Sequence, residues 1–208
     1  GVVSPLGNRE EFWRRLIAGE TATRRLVPEY RDREFWPVES CGAAAVASES
    51  LSTTLQAMSR AELIPLLAEP AIAHALAASL EAVADARLQI DMEARLAVNR
   101  GRAGCVIGTS KGGVRTLHEL MLLERGRGMP ISKEKVDAGN WWPMIAPSGP
   151  ASSVSALIGT EGPLLSPVAA CATGLMSLVR AAELIQCGMC DVVIAGSSDA
   201  SLSPAIVA

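Results

Sequence analysis

Residues 164–196 read LLSPVAACATGLMSLVRAAELIQCGMCDVVIAG. The apolar run Leu164-Leu-Ser-Pro-Val-Ala-Ala-Cys171 predicts a strand that ends at a cysteine. A helix is predicted over Thr173–Gln186, and Asp191-Val-Val-Ile-Ala-Gly196 predicts a second strand. Parallel strands need a crossover of a dozen residues or more, so strand, helix, strand in this order is a parallel βαβ unit. The helix is apolar nearly all round, through Leu175, Met176, Leu178, Val179, Ala181, Ala182, Leu184 and Ile185. Its polar positions, Ser177, Arg180, Glu183 and Gln186, recur every third residue and leave one narrow wet stripe. Such a helix belongs inside a layered domain. The fold class is therefore α/β, with a mostly parallel mixed sheet flanked by helices and a buried helix after Cys171.

Upstream the same grammar continues. Gly104-Cys-Val-Ile-Gly108 is a short apolar run closed by Thr-Ser-Lys-Gly-Gly, a buried strand entering a glycine-rich loop, with a helix predicted over Val114–Arg125. Phe12, Trp13, Leu16 and Ile17 make a helical stripe over Arg9–Ala18, with Asn8 as N-cap and Gly19 as stop. The alanine-rich run Ala71–Leu88 predicts a long helix, after a stretch broken by Pro65 and Pro70. Residues 20–60 and 126–150 lack a clear period and read as surface excursions within a domain spanning 1–208. A short helix over Ala151–Ile158 closes at Gly159.

Composition narrows the function. The 208 residues carry 19 Lys+Arg against 22 Asp+Glu, a net charge of −3, with no long basic run. That leaves no electrostatic footprint for nucleic acid or an anionic membrane. Hydrophobic residues at 49% argue against disorder, and no window of about 18 consecutive apolar residues would span a bilayer. The mean hydropathy of +0.26 directs the apolar surplus into a dry core or a subunit interface. Five cysteines (Cys41, Cys105, Cys171, Cys187, Cys190) at irregular spacing argue for a reducing compartment, with the cytoplasm as the expected location. Gly1-Val-Val-Ser-Pro-Leu-Gly7 reads as the exit of an earlier strand, and Ala208 follows no capping signal. The expectation is a piece of a longer protein.

Cys171 is the leading candidate for chemistry. A thiol where a strand turns into a helix faces unpaired backbone N–H groups and the positive end of the macrodipole, which favour the nucleophilic thiolate. The same N–H groups could cradle the oxyanion formed when a thioester carbonyl is attacked. The alternative is a buried cysteine acting as a small hydrophobe. Ser110-Lys-Gly-Gly-Val-Arg-Thr116 admits a rival, a variant phosphate loop, although Arg115 stands where a Gly-Lys-[Ser/Thr] ending would put its lysine. Cys187-Gly-Met-Cys190 has C-x-x-C spacing but falls at a helix end, where the dipole opposes a redox thiolate, so packing is expected for both. No metal site is expected, because Cys41, Cys105, His74 and His118 supply no ligand spacing. Trp141 and Trp142 are expected to anchor their loop to the core.

Several segments together resemble one family. Pro167-Val-Ala-Ala-Cys171-Ala-Thr-Gly174, the helix to Gly188, Asp191–Gly196 and Leu202-Ser-Pro204 look like the nucleophile region of β-ketoacyl synthases. Gly1–Gly7 with Phe12, Trp13 and Leu16 resembles that family's N-terminal segment, Gly108–Gly113 its glycine-rich loop, and Gly159–Pro163 the turn before its nucleophile strand. The resemblance implies a thiolase-like αβαβα layered fold, of which this chain is the N-terminal half, and no cofactor. It implies that Cys171 accepts an acyl group from an acyl carrier protein or coenzyme A thioester. The Cys171 N–H would stand in the oxyanion hole, and a malonyl thioester would then be decarboxylated and condensed in fatty acid or polyketide assembly. A homodimer pairing through Leu164–Val168 is implied as well. The family's decarboxylating pair, usually histidines, belongs to the second half, and neither His74 nor His118 matches it, so these residues alone are expected to be inactive. Lys111 departs from the apolar or small residue common at its place near the acyl pocket. It snorkels outward, or it selects a polar, short or carboxylated acyl group. A non-condensing partner subunit and a thiolase-type acyltransferase are the alternatives.

Overall fold

The computed structural model describes residues 1–25, 40–41, 48–90, 97–124, 141–203 and 206. Helix α1 (Arg9–Ile17) starts at Asn8, whose side chain accepts the Glu11 N–H at 3.1 Å. Strands β1 (Arg24–Arg25) and β2 (Ser40–Cys41) pair antiparallel. Helix α2 (Ser48–Ala57) and a 3-10 segment (Ala61–Ala68) lead into α3 (Pro70–Asp85). Pro70 begins that helix instead of breaking it, because the first turn needs no N–H from its leading residue.

The sheet follows from the apolar runs. β3 (Ala103–Gly108), β4 (Leu164–Leu165) and β5 (Val192–Ser197) are parallel in the order β4-β3-β5, with β3 in the centre. Between them come α4 (Val114–Glu124), α5 (Trp142–Ile145), α6 (Gly149–Ile158) and α7 (Thr173–Gln186). Side chains alternate along β3, and the two cores divide accordingly. Cys105 and Ile107 join the larger core with Leu76 of α3 and Val154 and Leu157 of α6. Val106 joins Ala181, Leu184 and Cys190 on the α7 side. Buried on both faces, β3 has no polar residue to spare, as its sequence predicts.

Several expectations need correction. The strand expected over Leu164–Cys171 is paired only at Leu164–Leu165. Pro167 has no N–H to extend the ladder. The expected burial of α7 holds for one face. Thr173, Ser177, Ala181 and Leu184 pack inward, while Leu175 is 65% and Leu178 55% exposed. Ser177, expected to be wet, is fully buried on that inward face, where its hydroxyl is satisfied by donating to the Thr173 carbonyl at 2.9 Å. Within the supposed excursion at 20–60, α2 buries Leu51 and Leu55 in the larger core. Within 126–150, Met144, Gly149 and Pro150 are buried, whereas Trp142 is 63% exposed and meets Trp141 edge to face at 6.0 Å. Met144, not the tryptophan pair, anchors that loop. Residues 26–39, 42–47 and 125–140 of the two excursions lie outside the described residues.

Candidate active site

Parallel strands deliver their following loops to one end of the sheet, and that is where Cys171 stands. A 3-10 turn, Ala170–Ala172, joins the segment after β4 to α7. Ala170 takes a φ of +47°, in the left-handed region that an L residue with a Cβ enters at a cost. Side-chain bonds hold it there. The Thr173 hydroxyl donates to the Ala170 carbonyl at 2.7 Å and accepts the Ala169 N–H at 2.9 Å. Cys171, between these clamps, is exposed. Among the described residues no backbone acceptor takes its N–H.

The loops after β3 and β5 flank this turn. A Cβ on Gly108 would lie 2.3 Å from both the Pro167 carbonyl oxygen and Thr173 Cγ2, so only glycine lets β3 end against the turn. On the other side, a Cβ on Gly174 would lie 2.9 Å from Ser197 Oγ. Asp199 ties the two loops together. Its carboxylate accepts the Ser110 hydroxyl at 2.8 Å, the Ser110 N–H at 3.1 Å and the Thr109 hydroxyl at 3.2 Å. Lys111 is exposed, and its ammonium donates to Ser110 Oγ at 3.0 Å and Ser201 Oγ at 3.5 Å. Its head lies between these two hydroxyls, and no ion pair engages it among the described residues. Sequence reading missed Asp199 and Ala170. The one is an acid whose partners lie about 90 positions away, and the other an alanine with no chemical signal.

The rival phosphate loop fails on its amides. The Ser110 N–H goes to Asp199, those of Lys111 and Gly112 to Thr109 Oγ1, and that of Gly113 to the Ile145 carbonyl. A phosphate cradle needs such groups unspent. Arg115 pairs with Glu119 at 3.0 Å instead of facing the loop. Two of the other described thiols are poorer candidates than Cys171. Cys105 is buried, donates to the Ala151 carbonyl at 3.4 Å, and has its pKa pushed up to about 12 by that burial. Cys190 is packed in the smaller core, but Cys187, expected to pack as well, is exposed at the end of α7.

Across residues 1–208 the chain matches the family model described as beta-ketoacyl synthase, N-terminal domain. The chain belongs to the beta-ketoacyl synthase family. A putative polyketide beta-ketoacyl synthase 1 of Streptomyces halstedii is 33% identical, with 100% of this chain and 46% of that protein covered. A 3-oxoacyl-[acyl-carrier-protein] synthase 2 of Vibrio cholerae is 27% identical, with 98% and 45% covered. A crystal structure of a beta-ketoacyl synthase from Burkholderia phymatum superposes with a TM-score of 0.72 at 25% identity, covering 98% of this chain and 46% of that one. A type II polyketide synthase acyl-carrier protein complexed with its ketosynthase bound to the hexaketide gives a TM-score of 0.67 at 24% identity, over 100% and 45%. The fold is thiolase-like, and the chain spans about half the length of the relatives it matches. Its two histidines fall away from the Cys171 turn in sequence. His74 is half-buried on α3, where burial lowers its pKa, and His118 lies on α4.

Proposed function

We propose that this chain is the nucleophile-bearing part of a β-ketoacyl synthase that condenses acyl and malonyl thioesters in fatty acid or polyketide assembly. One observation carries the reading: an exposed thiol, Cys171, on a clamped, positive-φ turn at the carboxyl end of a parallel sheet, directly before α7. Strained backbone held by its surroundings is a mark of functional sites. The Cys171 sulfur attacks the carbonyl of an acyl thioester, and the Cys171 N–H donates to the oxyanion. Collapse of that intermediate expels the carrier thiolate and leaves the acyl group on Cys171. A malonyl thioester then loses carbon dioxide, its carbanion attacks the acyl-cysteine carbonyl, and the Cys171 thiolate departs. The groups that drive decarboxylation belong to the remainder of a full-length synthase.

An acyl carrier protein is the proposed donor, a reading supported by the relative solved as an acyl-carrier protein in complex with its ketosynthase, with coenzyme A thioesters as its small-molecule equivalent. The cytoplasm would keep exposed Cys171 and Cys187 reduced. A homodimer is proposed through the β4 side of the sheet, where Leu164 and Val168 are exposed beside a strand edge that no described strand pairs. Lys111 is proposed to favour acyl groups bearing an oxygen that its ammonium can reach. The test is acyl loading of the full-length synthase, read by peptide mass. Loading is expected at Cys171, none in Cys171→Ala, and a shift toward unsubstituted long chains in Lys111→Ala. Acylation elsewhere, or of Cys171→Ala as well, would sink the nucleophile assignment; an unchanged chain preference would remove Lys111 from substrate selection.

A further inference from the structure

Glu69 is a fully buried carboxylate that serves two helix starts at once. One oxygen accepts the Ala71 N–H at 3.4 Å, capping its own helix α3. The other accepts the N–H and the hydroxyl of Thr116, at 3.0 Å and 2.7 Å, in the first turn of α4. The N–H of a helix's third residue is one that an N-cap side chain ordinarily satisfies. Gly113 holds that cap position, its carbonyl receiving the Leu117 N–H at 3.1 Å, and it has no side chain to offer. Nor is there room for one. A Cβ there would stand 1.8 Å from the Met144 carbonyl oxygen and 3.0 Å from the Glu69 carboxylate. The cap of α4 is therefore supplied by a residue 47 positions before Thr116.

What this carboxylate holds is one root of the Thr109–Gly113 loop. The other root, Gly108, rests on Pro167 and Thr173, the two sides of the Cys171 turn. Lys111 rides on the loop between them. We propose that Glu69 is a positioning residue for acyl transfer at Cys171, acting through the Thr109–Gly113 loop; this rests on the function proposed above. Three donors converge on Glu69, and a carboxylate, which only accepts, fits them. Glutamine of the same shape would turn an NH2 group toward one of them.

The test compares full-length wild type, Glu69→Gln and Thr116→Val, each checked for native circular dichroism. Three readings are taken: amide exchange over 112–117, alkylation of Cys171 by iodoacetamide, and acylation of Cys171 by an acyl thioester. Faster exchange and unchanged alkylation are expected in Glu69→Gln. Acylation should fall by about tenfold or more, toward the ~100-fold that an ångström of misplacement costs. Thr116→Val, which keeps the carboxylate and the backbone bond, should fall between. Acylation at the wild-type rate would overturn the proposal, as would a loss matched by an equal loss of alkylation, which would place the damage at the turn itself. Should Glu69→Gln fail to fold, Thr116→Val carries the same readings. A wild type that takes no acyl group would instead defeat the functional reading, and the proposal with it.

Discussion

Ala170 spends its conformational freedom where glycine would cost nothing. A left-handed alanine costs on the order of 1–3 kcal/mol, and the Thr173 hydroxyl holds it there. Ala170→Gly should therefore stabilise the fold by up to about 1 kcal/mol, the relief of strain being partly offset by the flexibility glycine brings to the unfolded chain. The same change should slow Cys171 acylation, because the turn is no longer confined to one geometry. Unfolding midpoint and acylation rate, measured together in the full-length synthase, should move in opposite senses; a parallel rise would mean the strain has no part in placing the thiol. Glu69 makes a second residue-scale case, in pH. Burial raises its pKa above the ordinary 4.5, outweighing the Thr116 and Ala71 donors and the positive charge of Arg115. Between 4.5 and the raised value the folded chain keeps a proton that the unfolded chain has released. Stability contributed there falls as pH rises. The unfolding free energy of wild type minus that of Glu69→Gln should decline across that window and be flat below it. A difference flat throughout would show that burial does not perturb the carboxyl.

At the scale of elements, the βαβ unit was legible because apolar runs, crossover length and the cysteine at the turn all appear within 33 consecutive residues, 164–196. Helix α7 matches its predicted bounds, Thr173–Gln186, and the predicted strands at β3 and β5 differ from the observed ones by a residue. Helix α2 was not legible. Its sequence, SESLSTTLQA, is mostly polar, and Leu51 and Leu55 become informative only once α3 and the 3-10 segment stand beside them. The loop ties were hidden for a related reason, since Asp199 and Glu69 look like ordinary surface acids until the chain brings their distant donors round. One contact between elements depends on a glycine. Gly108 brings β3 against the first turn of α7, and Gly108→Ala would drive a Cβ within 2.3 Å of Thr173 Cγ2 and the Pro167 carbonyl. The variant should lose about 1–3 kcal/mol, as overpacked sites do. Iodoacetamide should also label Cys171 at an altered rate, because the clamp on its turn is displaced. A variant as stable as wild type, with unaltered labelling, would mean that β3 and α7 are not in firm contact.

Over the whole molecule the apolar surface is unevenly distributed. One face of α7 lies on the sheet, and its outer face presents Leu175, Met176, Leu178, Val179 and Ile185 to solvent, with exposed Val168 sharing a shallow hollow with Met176. Contiguous apolar surface of that kind marks a place where other protein packs. The family relatives are roughly twice as long as this chain, and the solved ones share its fold. The outer face of α7 is then expected to be covered in a full-length synthase and bare in the 208 residues alone. Leu178→Asp separates the two situations by the size of its effect. In the 208-residue chain, where Leu178 is 55% exposed, the change should alter stability by no more than about 0.5 kcal/mol and improve solubility. In a full-length synthase the same aspartate would be buried without a partner, at a cost of several kcal/mol, roughly 3 or more. Denaturant unfolding of both polypeptides, each with and without the substitution, reads the difference directly. Equal and small effects in both would mean that α7 stays open in the complete protein, and its apolar outer face would then need a separate partner.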